Sequence, residues 1–226
     1  MTTSYSCFQI NKFPFSEEKK FLVPYQESFK IMEGTPETYF KLFEKNFHDS
    51  FDKYFAHHEM TIKKHGKVFG KYFHEYLEPK DFSMYVSSKY DLLFTKVNKD
   101  LSTDFIKNCN RYSSYLNGFN CVRKEVDFEK IAHILPVITG AWVGKLKSTY
   151  VKSSAYFGRH VDRSDRFKEA ASEGKISFLQ FEYIKDNTSY TVGIPEEAAI
   201  ILYNNFDDKK IELELVKEIY DKFINL

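Results

Sequence analysis

The chain has 226 residues, a formal charge of +1 with histidine neutral, 42% hydrophobic residues and 18% aromatic residues. A nearly neutral chain excludes attraction to nucleic acid or anionic lipid through overall charge, so any such binding must come from a local patch. The 23 Phe and 16 Tyr are enough for a sizeable core in one large domain or two small ones.

The N-terminal segment and the cysteines indicate a cytoplasmic protein. The first residues, MTTSYSCFQINKF, have no apolar run and no small-residue cleavage site, so we expect no secretory signal. No window approaches the roughly 20 apolar residues of a membrane helix, so we expect no membrane partner. Cys7, Cys109 and Cys121 form no CxxC pair and no even set, which favours reduced thiols.

The first half of the chain is predicted to be rich in helix, after short strands and loops over residues 5–31. Residues 35–37, Thr-Pro-Glu, have the order of an N-cap, a first-turn proline and a first-turn acid. The aromatic residues that follow recur at steps of three and four, the period of one helical face: Phe40, Phe43, Phe47, Phe51 and Tyr54. A second helical period starts after Met60 and is ended by Pro79; its apolar members are Ile62, Phe69, Phe73, Tyr76 and Leu77.

Shorter elements are predicted from there to Leu135. They are strands Phe82–Ser87 and Lys89–Val97, a helix Ser102–Tyr115 closed by Asn117 and Gly118, a strand Phe119–Val126, and a short helix capped by Asp127.

After Pro136 the pattern turns towards strands. The predicted elements are strands Val137–Lys147 and Thr149–Phe157, a helix from Ser164 and Asp165 that Gly174 ends, a hairpin of Lys175–Lys185 and Ser189–Ile194 around Asp186, Asn187 and Thr188, a strand Ala199–Tyr203, and a terminal helix capped by Asp207 or Asp208. That last helix is predicted to bury Ile211, Leu215, Ile219 and Phe223.

The sum is an α+β fold. A helix-rich N-terminal part, residues 1–135, is predicted to pack with a small antiparallel sheet and a C-terminal helix, residues 136–226, in one compact unit.

A ridge of lysines on the second predicted helix is the first candidate site. On a helical wheel, about a third of the circumference holds Lys63, Lys64, Lys67, Lys71 and His74. Lysines one turn apart can follow a phosphodiester backbone, with binding that weakens steeply in salt, and an exposed Tyr72 or Tyr76 can stack on bases. A solvated face of a core helix has the same pattern, so both interpretations stay open.

Five of the seven histidines lie between His48 and His74, which raises the question of a metal. His48, Asp52 and Glu59 share one side of the first predicted helix, and such groups ligate zinc or iron. His58 and His65 instead fall on apolar faces, which favours hydrogen-bonded imidazoles. We therefore expect no metal and no cofactor.

Three arginines form a second candidate site: Arg159, Arg163 and Arg166. They precede or open a helix, where a phosphate or a partner's carboxylate can be held. Asp162 and Asp165 are close in sequence, and ion pairs with them would leave a neutral turn instead.

Catalytic motifs are missing from the sequence, which has no GxSxG, HExxH, GxGxxG or EF-hand loop. A metal-dependent nuclease or hydrolase would need two acids and a lysine on adjoining strands, and the candidates are Asp91, Glu182 and Lys185. Glu182 and Lys185 are separated by two residues, one more than in the ExK motif of restriction-type nucleases. Cys109 or Cys121 could form a thiol–imidazole pair with His133, but no known motif has this spacing. Buried structural thiols are the simpler interpretation.

The sequence thus favours a non-enzymatic interaction protein over an enzyme. We expect it to be a subunit or modulator of a larger cytosolic assembly, with another protein as its partner and a bacterial or phage role in defence or counter-defence. The alternatives are a nucleic-acid-binding module that uses the lysine ridge and a metal-dependent nuclease or hydrolase. The sequence leaves the oligomeric state open.

Overall fold

The computed structural model describes residues 2–15, 21–22 and 37–226. The chain divides into two compact units: unit 1 comprises Met1–Cys7 with Arg123–Leu226, and unit 2 comprises Phe8–Val122. The first strand runs from one into the other. The predicted division into parts 1–135 and 136–226, packed in one compact unit, stays a prediction.

Unit 2 is an antiparallel sheet with one long helix. Its strands, with the first shared between the units, are β1 (Thr3–Lys12), β2 (Phe21–Leu22), β3 (Thr38–His48), β4 (Phe51–Val68), β5 (Lys71–Ser87), β6 (Leu92–Lys96) and β7 (Asn120–Arg123). Helix α1 (Lys99–Arg111) and a 3₁₀ turn (Ser113–Leu116) follow β6. The strands lie in the order β2-β3-β4-β5-β6-β1, and β7 pairs with β1.

The predicted helix-rich N-terminal part is wrong, because both long helices are strands. Residues predicted to form the first helix lie in β3 and β4, and residues 60–78 lie in β4, a tight turn and β5. The start of that first helix, residues 35–36, lies outside the described residues. The aromatic residues do not form one stripe: Phe40 and Phe47 are buried, whereas Phe43 is 65% exposed. The pairing register of β3 shifts after Leu42 and after Glu44, so its buried and exposed side chains do not simply alternate. The aromatic residues are therefore spaced three or four apart, as on a helix.

Aromatic packing against α1 forms the core of unit 2. Phe105, fully buried on α1, contacts the rings of Phe40 and Phe82 at centroid distances of 6.3 and 5.2 Å. Asn98 caps the helix by accepting a hydrogen bond from the Leu101 N–H. Each buried ring removes roughly 150–250 Å² from water, so this cluster holds the sheet and the helix together.

Unit 1 is a second antiparallel sheet with three helices. Its elements after β7 are α2 (Phe128–Ala132), β8 (Val137–Gly144), β9 (Ser154–Phe157), a 3₁₀ turn (Val161–Arg163), α3 (Asp165–Glu173), β10 (Lys175–Lys185), β11 (Thr188–Pro195), β12 (Ala199–Leu202) and α4 (Lys209–Phe223). The strands lie in the order β1-β12-β11-β10-β8-β9.

The predictions for this part are mostly confirmed. Asp127 and Asp208 accept backbone hydrogen bonds at the starts of α2 and α4, as predicted for N-caps. Helix α3 begins at Asp165 and ends before Gly174. Leu215, Ile219 and Phe223 are buried along α4, but the prediction for Ile211 is wrong, since that side chain is half exposed.

Candidate nucleic-acid interface

A two-stranded ribbon extends from the sheet of unit 2. Strand β3 pairs with β4 only as far as His58, and β6 pairs with β5 only from Ser83 onward. Within the described part of the chain, residues 60–79 therefore form a ribbon in which β4 and β5 pair with each other alone. We call residues 60–79 the β-arm. Nine residues lead from Met60 to Val68, which corresponds to about 30 Å of strand.

The turn at the end of the β-arm exposes a large aromatic ring. Val68 pairs with Lys71, so the loop between them has two residues, Phe69 and Gly70. Both have positive φ, 46° and 82°, which is the signature of a type I′ hairpin turn. Glycine adopts this conformation without strain, but a bulky residue does so at a cost of roughly 1–2 kcal/mol. Phe69 is nevertheless there, with 102% of its surface exposed.

A β-bulge divides the arm into a base and a tip. Lys63 pairs with Glu75, whereas Gly66 pairs with Phe73, so Lys64 and His65 together oppose His74. A Cβ atom at Gly66 would lie only 2.2 Å from Cζ of Phe73. The phenylalanine ring therefore covers the glycine, as aromatic residues do across strands to compensate for a missing side chain.

The four lysines of the predicted ridge lie on the β-arm, but they do not form a ridge. Side chains alternate between the faces of a strand, so Lys63 and Lys71 are on one face, and Lys64 and Lys67 are on the other. All four are exposed. The prediction of one cationic helix flank is therefore wrong, and lysines lie instead on both faces around the tip.

The tip combines positive charge with exposed rings. The β-arm contains four lysines and two glutamates, and so carries two positive charges with histidine neutral, but all four lysines lie within residues 63–71, which include no acidic residue. The Nζ atom of Lys67 lies 5.0 Å from the ring centre of Tyr72, a cation–π contact, and Tyr72 is 77% exposed. Tyr72 is exposed, as the stacking hypothesis requires, whereas the prediction that Phe69 lies on an apolar helix face is wrong. Gly70, in the position that a type I′ turn favours for glycine, was the signal for the turn.

The arginine cluster of unit 1 is exposed but less concentrated. Arg159 follows the loop residue Gly158, Arg163 ends the 3₁₀ turn, and Arg166 is in the first turn of α3. Within the described ranges, none of these guanidinium groups has a carboxylate within 4.0 Å, so the predicted pairing with Asp162 and Asp165 is absent there. An anion-binding role of the three arginines stays a prediction.

Two of the histidines have structural partners at the base of the arm. His58 is buried, with Nδ1 2.7 Å from Oγ1 of Thr38 and Nε2 3.0 Å from Oδ2 of Asp104. His57 contacts Asp81 at 2.6 Å and stacks on Tyr39. The Thr38 hydroxyl is buried, so a substrate cannot reach this Thr-His-Asp arrangement, which joins β3, β4 and α1.

Among the described residues, no group of three or more His, Cys, Asp or Glu side chains is placed to hold a metal ion. His48, Asp52 and Glu59, which the sequence placed on one helix side, lie on strands β3 and β4.

Of the three residues proposed for a nuclease, Lys185 forms ion pairs that join the sheet to α4. Nζ of Lys185 on β10 lies 2.6 Å from Glu214 and 3.1 Å from Glu218 of α4. Partial burial alone would raise the pKa of Glu218, but hydrogen bonds from Lys222, Tyr183 and Lys185 lower it to about 2. This carboxylate therefore stays charged and ties α4 to the sheet.

The cysteines are unsuited to nucleophilic chemistry. Cys7, Cys109 and Cys121 are free and buried. Burial raises the pKa of each thiol well above its ordinary value, so that each remains protonated and poorly nucleophilic at neutral pH.

No protein-family model matches the chain, and no curated protein matches it either. Of the helices that the structure describes, none has both the length and the apolar character that crossing a membrane requires. Within the part of the chain that the structure describes, the β-arm is the feature with the most distinctive surface.

Proposed function

We propose that this chain binds nucleic acid through the β-arm. The observation that carries the proposal is the concentration of four exposed lysines on both faces of a protruding two-stranded ribbon whose tip exposes Phe69 and Tyr72. Two-stranded ribbons fit the major groove of duplex DNA and are used by several classes of DNA-binding protein.

The charge distribution supports nucleic acid as the ligand. The whole chain carries only one net positive charge, whereas the nine residues 63–71 contain four lysines and no acidic residue. Lysine is depleted at protein–protein interfaces, but it is a common phosphate contact on nucleic acid. Lysines on both faces of a ribbon can reach the phosphates on the two sides of a groove at once.

The aromatic rings at the tip add a contribution that does not depend on salt. Base stacking on an exposed ring is worth about 1–3 kcal/mol per base and tolerates any sequence. Phe69 and Tyr72 would stack on unpaired or opened bases while the neighbouring lysines hold the backbone. This arrangement favours binding that depends weakly on base sequence.

Fluorescence anisotropy with a labelled 25-nucleotide strand and its duplex tests the proposal. Three or four phosphate contacts predict an affinity that falls about 40- to 150-fold for the duplex, and about 20- to 50-fold for the single strand, between 50 and 200 mM salt. The triple variant Lys63→Glu, Lys67→Glu, Lys71→Glu is expected to weaken binding at 50 mM salt by at least about tenfold and to flatten the salt dependence.

A matched control separates the arm from overall charge. Lys147→Glu, Lys152→Glu, Lys168→Glu changes the net charge equally at exposed positions in unit 1 and is expected to keep most of the affinity. If the lysines serve only to keep the open ribbon edges from pairing with other strands, the two triple variants will bind alike. That result would refute the proposal.

A protein partner is a second candidate, favoured by a different surface. Strand β9 is the last strand of the described sheet in unit 1, and Phe157 on it is 65% exposed. Tyr150 and Val151 in the preceding loop are exposed too. A short strand at a sheet edge beside apolar side chains can pair with a strand of another protein.

Co-purification from the native source, with a stoichiometric partner identified by mass spectrometry, tests this candidate. Tyr150→Lys with Val151→Lys should release the partner, whereas Tyr115→Lys, at an exposed tyrosine of unit 2, should not. Equal retention by both variants would count against this edge. A role in defence or counter-defence and a metal-dependent nuclease activity remain predictions from the sequence.

A further inference from the structure

The β-bulge in the arm brings two imidazoles into direct contact. The Nδ1 atoms of His65 and His74 lie 2.6 Å apart, with ring centroids separated by 4.7 Å and ring planes at 78°. Both side chains are exposed. Because two ring nitrogens this close cannot both carry a proton, one Nδ1 must be an acceptor and the other the donor.

We propose that His65 and His74 form a binding site for a divalent transition-metal ion, with both Nδ1 atoms as ligands. Two nitrogens bound to one tetrahedral ion lie about 3.3 Å apart, given metal–nitrogen distances of about 2.0–2.1 Å. The present separation is 2.6 Å, so small rotations of two exposed side chains would admit an ion between the rings, with the proton on Nδ1 moving to Nε2 of the same ring.

The backbone of the arm favours this convergence. The extra residue of the bulge directs His65 towards His74 on one face of the ribbon, and Phe73 covers Gly66 on the other face. His57 and His58 differ, since their Nδ1 atoms are engaged by Asp81 and Thr38. Of these four histidines, the pair on the arm alone has its Nδ1 atoms directed at each other.

The chemistry of the pair limits which ion it takes. Neutral imidazole is a ligand for Zn²⁺, Ni²⁺ and Cu²⁺, and the Irving–Williams order makes Cu²⁺ the tightest. Two protein ligands leave the remaining positions to water. Lys64 and Lys67 on the same face repel a cation, so moderate affinity is expected, and it should strengthen with salt as that repulsion is screened.

Isothermal titration of the tag-free chain with Cu²⁺ and with Zn²⁺ tests the site. Relative to the wild-type chain, His65→Ala and His74→Ala are each expected to weaken the tightest binding event at least tenfold. The double variant gives the background from all other groups. His133→Ala, at an exposed histidine of unit 1, is the matched control and should change affinity less than twofold.

Acidification supplies a second readout, because a protonated imidazole cannot ligate a metal. Binding to the wild-type chain should weaken as the pH is lowered from 7.5 to 5.5, and His65→Gln should behave as His65→Ala does. Wild-type binding no tighter than that of the double variant would overturn the proposal, as would equal losses in His133→Ala. Neither result depends on whether the arm binds nucleic acid.

Discussion

A single residue, Phe69, is where stability and function are expected to oppose each other. It occupies the left-handed conformation with φ of 46° in a type I′ turn, where asparagine or glycine is favoured. Its ring is fully exposed and gains no burial in return. Strained residues of this kind persist where function requires them.

Replacing Phe69 with asparagine should therefore stabilise the chain and weaken its binding. We expect a gain of about 1 kcal/mol in the free energy of unfolding, because Asn-Gly is a favoured type I′ turn. Urea denaturation measures the gain, and anisotropy with the labelled strand should show at least a threefold weaker affinity. Tyr150→Asn, at another fully exposed ring, should change neither quantity. A less stable Phe69→Asn chain with unchanged affinity would contradict this account of the turn.

The pair of His58 and Asp104 should make stability depend on acid pH. The hydrogen bond from His58 lowers the pKa of Asp104 below its ordinary value, partial burial opposes this, and the charges of His58, Lys107 and Arg111 reinforce it. A carboxyl whose pKa is lower in the folded state stabilises the fold above its unfolded pKa of about 3.9 and loses that contribution as the pH falls further.

Asp104→Asn should thus lower the free energy of unfolding at pH 7, and this loss should shrink as the pH falls below about 3.9. Because Asp104 is more than half exposed, solvent screening limits the expected loss to about 0.5–1 kcal/mol. Urea midpoints at pH 7, 5 and 3 measure it, and the difference from wild type should be similar at pH 7 and 5 and smaller at pH 3. Asp207→Asn, at an exposed aspartate, is the control. A difference that is constant across this pH range would show that the loss is not electrostatic.

At the scale of elements, predictions from sequence succeeded where local capping and turn chemistry decided the structure. Asp208 caps α4, Gly174 follows the end of α3, and Asp186 and Asn187 form the turn between β10 and β11, all as predicted. These signals rest on the hydrogen bonds and φ angles of a few residues, so tertiary packing does not override them.

In the first half of the chain the helix predictions were wrong because they rested on the spacing of the aromatic residues. The aromatic residues recur every three or four residues because the register of β3 shifts twice and because the later rings lie on the next strand, β4. The turns that separate the strands have unusual residues, Asp49 with Ser50 and Phe69 with Gly70. The four arm lysines are exposed. Their division between two faces depends on the pairing of β4 with β5, which the sequence did not indicate.

Gly174 shows how tightly α3 is joined to the sheet. A Cβ atom at this position would lie 2.5 Å from the carbonyl oxygen of Gly144, a backbone atom that cannot rotate away. Gly174→Ala should therefore lower the free energy of unfolding by about 1–3 kcal/mol. Gly144→Ala is the matched control, since an added Cβ there meets no atom within 4 Å. Thermal and urea denaturation compare the two variants. Equal stabilities would mean that the helix end can shift freely.

The β-arm should be dispensable for folding. Thr61 pairs with Leu77, so residues 62–76 can be replaced by Asn-Gly, which closes the ribbon directly after this pair in a favoured turn. The buried cluster around Phe105 contains no residue from the deleted segment. We expect the shortened chain to unfold within about 1 kcal/mol of wild type, since surface changes away from the core have small effects. A loss of cooperative unfolding in urea would show that the arm belongs to the core.

For the whole molecule, local charge matters more than net charge. A chain with one net positive charge has little long-range attraction for a polyanion. Four lysines concentrated near the end of a narrow ribbon produce a strong local potential within one Debye length, about 8–10 Å at physiological salt. The account therefore predicts binding that is confined to the arm and lost at high salt, with little contribution from the rest of the surface.

The affinity of the shortened chain for the labelled strand and its duplex, measured beside wild type at 50 mM salt, tests this most directly. The folded control is the same variant, shown by urea denaturation to retain a cooperative transition. We expect wild-type binding that the removal of residues 62–76 weakens at least about thirtyfold, as the loss of three or four phosphate contacts implies. Equal affinities of the two chains, or no measurable binding by wild type to either oligonucleotide, would contradict the account.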